Sequence, residues 1–156
     1  MHITIVAVGQ KLPAWAQTAV DDYLARFPRD FTVIVKEVKA EARTGGKPVA
    51  QVMAAAAERI ERAVPAGDIL VAMDEHGRDM TTVDFSKKIS GWKNEGCGVT
   101  FIIGGADGLD PALKAKSRMM LRLSSMTLPH AFARVLLTEQ IYRAWSILAN
   151  HPYHRV

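Results

Sequence analysis

Apolar runs and amphipathic stretches alternate along this chain, and the alternation sets the first expectations. Residues 2–8 form a short β-branched run that closes on Gly9, which predicts a buried strand. Pro13 sits where a first helical turn accepts it. Trp15, Ala19, Tyr23 and Phe27 then recur at every fourth position, the spacing of one helix face, and Pro28 stops the run. Residues 31–38 predict a second strand, rich in valine and isoleucine. The segment 41–48, EARTGGKP, predicts a mobile basic loop carrying Arg43 and Lys47. Val49, Val52, Met53, Ala56 and Ile60 predict a helix ending by Pro65. A third strand over 68–73 runs into a turn at Asp74-Glu75-His76-Gly77. Thr82 is the expected N-cap of a helix with Phe85, Ile89 and Trp92 on one side. A fourth strand covers 99–103, Pro111 opens a further helix, and 121–123 predict a short fifth strand. The last helix spans about 132–149, with Leu137, Ile141, Ala144 or Trp145, and Leu148 as its core stripe.

Strand–helix alternation with buried-type strands implies an α/β parallel sheet with helices on both faces. The whole chain, 1–156, reads as one domain with no internal repeat or linker. Taken alone, the pattern gives an unknotted sheet, because threaded chains are rare. In such sheets ligands bind outside the C-terminal strand ends. Three of those ends carry unusual loops, at 73–77, 104–110 and 124–129.

Composition narrows this modestly. An apolar fraction of 49% supplies a core. A net charge of +4 permits a polyanionic partner without requiring one. Cys97 is the single cysteine, so no internal disulfide forms and a reducing compartment is expected. The first residues lack a basic n-region, and no segment approaches the ~20 apolar residues of a membrane span. A cytoplasmic protein without membrane attachment is the expectation.

The glycine loop Gly104-Gly105-Ala106-Asp107-Gly108 reads either as a tight turn or as backbone able to approach a ligand. Its spacing is neither the dinucleotide fingerprint nor a P-loop. The segment LSSMTLPH, from Leu123 through Ser124, Ser125, Met126, Thr127 and Leu128, offers hydroxyls, free backbone groups and an apolar wall, the mixture an adenosyl group needs. In the last helix Arg134 and Tyr142 lie off the core stripe, one able to grip phosphate and the other to stack a base. Glu139 and Arg143 form an i, i+4 pair that reads as a solvated helix face. The tail carries His151, Tyr153, His154 and Arg155. Terminal residues usually fray, but histidine accepts a proton near neutrality and arginine stabilises a developing anion. No cysteine or carboxylate accompanies the two tail histidines, so no metal is expected.

The segments VAVGQKLPAW, YLARFP, IIGGADGL, SSMTLPHAFARVLLTEQIYRAWSI and NHPYHR resemble, in order and across nearly the whole chain, those of the RlmH family. These are SPOUT-class 23S rRNA pseudouridine N3-methyltransferases. The resemblance implies a parallel-sheet SPOUT methyltransferase fold with a C-terminal trefoil knot, and a homodimer with the knotted region at its interface. It implies S-adenosylmethionine contacts at Met73, Gly104 and Leu123 through Leu128, and a target in helix 69 of large-subunit rRNA. His154 and Arg155 are the expected base and anion-stabilising groups, with Tyr142 and Arg134 shaping base and phosphate contacts and the tail acting across the dimer. A SPOUT methyltransferase of another RNA such as tRNA, a non-enzymatic RNA-binding ribosome assembly factor, and a nucleotide-linked oxidoreductase are the rival expectations.

Overall fold

Five parallel strands form one sheet in a computed structural model that describes residues 1–9, 11–42 and 44–155. They are β1 (His2–Val8), β2 (Thr32–Val38), β3 (Ile69–Arg78), β4 (Val99–Ile103) and β5 (Met119–Leu121), in the spatial order β2-β1-β4-β3-β5. Between and after them run α1 (Ala14–Leu24), α2 (Val49–Ala63), α3 (Thr82–Asn94), α4 (Pro111–Lys116) and α5 (His130–Leu148). Parallel strands need crossovers and end up covered on both faces, which explains why Ile3 to Val8 of β1 and all of β4 are buried.

Alternation within the strands divides the core. Ile3, Ile5, Val99, Phe101 and Ile103 meet Phe85, Ile89 and Trp92 of α3 and Leu137, Ile141 and Ala144 of α5. Val6, Val8, Ala72 and Ile102 point the other way, onto Ala57 and Ile60 of α2 and Leu113 of α4. A fully buried aliphatic side chain contributes roughly 1.5–3 kcal/mol, so the β1–β4 centre anchors the molecule. α1 lies against α5 through Leu12, Ala16 and Val20, which meet Ala131 and Val135.

Several elements depart from the sequence reading. The α1 face that packs is Ala16/Val20 rather than the Trp15/Ala19 row, and Trp15 is half exposed. Thr81, not Thr82, caps α3, accepting the Asp84 amide at 3.1 Å. Strand β5 comprises 119–121 rather than 121–123, and Leu148, expected in the core stripe of the last helix, is exposed at 41%. Lys47 of the basic segment 41–48 pairs with Glu41 at 3.0 Å, and a 3-10 turn forms at Thr44–Gly46; Arg43 lies outside the described residues.

The most consequential departure concerns 74–77, expected as a turn. Strand β3 continues through it to Arg78. Met73 and then Arg78 both pair with Leu121, and the four residues between them form an irregularity of the ladder. A bulge of this kind re-aims the strand end without breaking it.

Candidate active site

Register brings the three marked strand ends together. Met73 pairs with Ile103 on one side and Leu121 on the other. Gly104 and the segment Leu123–Leu128 therefore leave the sheet from the two strands that flank β3. Met73 and Leu123 keep their apolar sides against the core. Met126 is 76% exposed, and Ser124 Oγ accepts the Met126 amide at 2.9 Å. Among the described residues no other backbone hydrogen bond involves Leu123 to Leu128. Backbone groups must be paired somewhere, so this turn offers open donors and acceptors beside an apolar wall, which suits an adenosyl edge.

The loop geometry gives Gly104 the tight-turn reason to be glycine, one of the two that its sequence offered. A Cβ there would stand 2.6 Å from the carbonyl carbon and 2.7 Å from the oxygen of Gly108. The loop closes on itself, with Gly105 bridging Gly108, and a side chain at Gly104 would break that closure before meeting any ligand.

The tail is docked, not frayed. The His151 amide donates to the Ser146 carbonyl at 2.8 Å. The Tyr153 hydroxyl donates to Glu139 Oε1 at 2.9 Å and lies 3.1 Å from the Tyr23 hydroxyl. Burial, then Tyr23 and Glu139, push the Tyr153 phenol pKa up, so it stays a donor. His154 Nδ1 lies 3.0 Å from Ser146 Oγ. Glu139 also holds Arg143 at 2.7 Å and the Gln140 amide at 2.7 Å. Burial opposes the Arg143 charge, but Glu139 outweighs it and the pKa rises. The Glu139–Arg143 pair is thus the hub that moors the tail, not the solvated face its spacing suggested.

His154 and Arg155 line a cavity of about 400 Å³ with Thr82, Val83, Gln140, Arg143 and Ile147. Arg134 and Tyr142 do not line it. Arg134 is 3% exposed and pairs with Glu37 at 3.1 Å, because its helix face turns toward the end of β2. Tyr142 is buried among Tyr23, Phe27, Trp145 and Tyr153, with ring centroids 4.7–6.0 Å away. The expected phosphate grip is therefore a buried guanidinium paired with a partly exposed carboxylate, and the expected base-stacking surface is an aromatic core. None of Met73, Gly104 and Leu123–Leu128 lines this cavity. A larger hollow of about 620 Å³ lies along α3 and the start of β5, walled by Arg78, Lys87, Lys88 and Arg118 among others, and touches neither set.

A family model described as "Predicted SPOUT methyltransferase" matches residues 1–154. The chain belongs to the SPOUT methyltransferases. Within them it belongs to the RlmH family. It is 53% identical over 156 residues, 100% of both chains, to a protein of Ralstonia pickettii named "Ribosomal RNA large subunit methyltransferase H". It is 54% identical over 155 residues, 99% of both chains, to a protein of the same name from Bordetella avium. Its fold resembles that of a probable methylase family protein from Haemophilus influenzae, with a TM-score of 0.61 at 15% identity, covering 99% of this chain and 70% of that one. The SpoU methyltransferase AviRb from Streptomyces viridochromogenes gives a TM-score of 0.50 at 15% identity, with 96% and 61% covered.

For this SPOUT methyltransferase, sequence reasoning missed Arg143, Gln140 and Thr82 as cavity residues. Thr82 donates its hydroxyl to Gln140 Oε1 at 2.7 Å across the α3–α5 contact. No helical period reveals such a pairing, since 58 residues separate the partners. Among the described residues no group of three His, Cys, Asp or Glu side chains could hold a metal, and no helix is long and apolar enough to cross a membrane.

Proposed function

We propose that this chain transfers a methyl group from S-adenosylmethionine to N3 of a pseudouridine in helix 69 of large-subunit 23S rRNA, as a cytoplasmic homodimer. The observation that carries the chemistry is the cavity lined jointly by His154, Arg143 and Arg155. Full-length similarity to proteins named for large-subunit rRNA methylation supports the substrate class.

The open backbone of Leu123–Leu128, with Met73 and the Gly104 turn beside it, fits the methyl donor. When bound, the donor supplies an electrophilic methyl on a sulfonium sulfur, and the bonding pair stays on sulfur as a thioether. The protein's own task is the nitrogen. N3 carries a proton flanked by two carbonyls, so its lone pair becomes available only on deprotonation. A cavity imidazole takes that proton, and the anion left on the imide is stabilised by Arg143 and Arg155, the arrangement that makes general-base and electrostatic catalysis effective. Tyr153 does not line the cavity, and its hydroxyl is engaged by Glu139 and Tyr23, so the imidazole and not the phenol is assigned the proton.

Cavity and donor cradle share no lining residue in one chain, which supports a dimer in which the tail of one protomer serves the cradle of its partner. An exposed aromatic pair, Trp15 and Phe132 with centroids 4.8 Å apart, stands with exposed Leu136 on the α1–α5 surface and offers an apolar contact for that partner. Family membership also implies the C-terminal trefoil knot, and the side-chain-free crossing of Gly77 over Leu121 suits a tightly threaded segment.

The test is incubation of purified protein with labelled donor and naked 23S rRNA, isolated large subunits, whole ribosomes or bulk tRNA, followed by mass mapping. Label at the N3 of one rRNA pseudouridine is expected. Label in tRNA would move the target, and binding to ribosomes without donor binding would favour an assembly factor.

A further inference from the structure

We infer that Ser146 is a positioning residue that fixes the tautomer of His154, holding the imidazole proton on Nδ1 and presenting the Nε2 lone pair as the general base. The inference rests on the methyl-transfer reading above and assigns its proton acceptor.

Three heavy atoms carry the argument. Ser146 is fully buried. Its Oγ lies 2.7 Å from the carbonyl oxygen of Arg143 and 3.0 Å from His154 Nδ1. Two oxygens at 2.7 Å hold a proton between them, since that separation is the modal O–H···O distance. A carbonyl has no proton to give, so the serine hydroxyl supplies it. Serine has one donor and two acceptor lone pairs. With the donor committed to Arg143, the hydroxyl can only accept from His154, and Nδ1 must carry hydrogen. In a neutral ring the lone pair then sits on Nε2, because the bond made by one ring nitrogen dictates the state of the other.

The surroundings agree. Among the described residues Nε2 has no hydrogen-bond partner, and His154 lines the cavity with Arg143 and Arg155. Free imidazole favours the opposite tautomer, with hydrogen on Nε2, which would present a donor to the target N3–H and leave nothing to receive its proton. Ser146 reverses that preference from inside α5, one turn beyond the Glu139–Arg143 pair. In the proton-transfer step the N3–H bond breaks and the new N–H bond forms at Nε2. Its electron pair stays on the imide, facing the two guanidinium groups, and the ring becomes an imidazolium that still donates from Nδ1 to Ser146.

Nitrogen-15 spectroscopy of histidine-labelled protein tests this without any turnover. The chain has five histidines, and a His154→Gln variant assigns the relevant signal. Above neutral pH the wild-type ring should show protonated Nδ1 and unprotonated Nε2, and Ser146→Ala should shift the population toward Nε2–H. With whole ribosomes as substrate, Ser146→Ala should lower kcat about tenfold or more, a part of the ~10²–10⁴-fold contributed by a general base, while KM for ribosomes stays within about twofold. Ser146→Thr retains the hydroxyl and should restore both tautomer and kcat. Wild-type His154 protonated on Nε2 overturns the inference, even if the alanine variant fails to fold. So does an alanine variant whose tautomer moves while kcat does not. The expected tautomer in a wild-type protein that methylates no rRNA would instead overturn the functional reading and leave the Ser146 assignment standing.

Discussion

A Cβ on Gly77 would stand 2.7 Å from both the backbone nitrogen and the carbonyl carbon of Leu121. The irregular end of β3 passes so close to β5 that no side chain fits at the crossing. Backbone cannot yield as a flexible side chain does, so the contact requires glycine. Gly77→Ala should cost about 1–3 kcal/mol, the usual toll of overpacking, measured by urea denaturation. Donor affinity in calorimetry should fall with it, because Leu123–Leu128 emerges two residues past Leu121. A variant as stable as the wild type would show that the two strands can part freely.

Gly104→Val should lose stability and donor binding together. The added carbons meet Gly108, in the same turn, at 2.6–2.7 Å, so the turn must open. Loss of donor binding in calorimetry with an unchanged melting temperature would mean instead that the side chain intrudes only on the ligand.

His130, the first residue of α5, should make stability fall on mild acidification. Burial depresses its pKa below the ordinary imidazole value, Arg134 adds to the effect, and Glu37 opposes it. Its Nε2 is buried with no hydrogen-bond partner among the described residues. A depressed folded-state pKa means that the unfolded chain binds protons first. The contribution is therefore complete above the unfolded value and is lost as pH drops from about 6.5 through the lower folded value. Denaturation midpoints at pH 7.5 and pH 5 should differ for the wild type, and the difference should shrink in His130→Gln.

Arg134 and Arg143 sit nine residues apart on one helix but should fail in different ways. Arg134 is buried while Glu37 remains partly exposed, at 3% and 43% of side-chain surface. Glu37→Ala leaves a buried cation without its partner and should cost about 1–3 kcal/mol, less than for a pair buried on both sides because Glu37 is partly exposed. Arg134→Met removes the charge and should cost less, with turnover of the folded protein within a few-fold of normal. Arg143→Met should lower kcat by about 10²–10³, the scale for losing one group that stabilises a developing anion, while donor affinity stays level. Parallel thermal melts and single-turnover methylation separate the two. Equal kcat losses would return Arg134 to the reaction surface.

How far the chain could be read follows from the range of the interactions involved. The alternation of β-branched runs with amphipathic stretches is local, and it gave the helices and the parallel sheet, with most ends within a few residues. The strand-end turns at 104 and 123–128 were legible because glycine and hydroxyl residues mark loops chemically. The Trp15/Ala19 row misled because several faces of α1 carry apolar residues, and only contact with α5 selects Ala16 and Val20. Arg134 and Tyr142 misled for a related reason. A polar or aromatic residue off the stripe of a helix that packs on more than one side can meet a neighbouring element and not solvent, as Arg134 and Tyr142 do, and spacing names no neighbour.

By itself, then, the sequence determined what nearest neighbours along the chain decide: which segments extend, which coil, where glycine and proline interrupt them, and which chemical groups are on offer at each turn. Tertiary structure alone decided which groups meet. It placed Gly77 over Leu121, bound Thr82 to Gln140, moored Tyr153 on Glu139, and set Ser146 between Arg143 and His154. Those contacts depend on strand order and helix docking, which arise from burying both faces of the sheet at once, and no local periodicity encodes that global constraint.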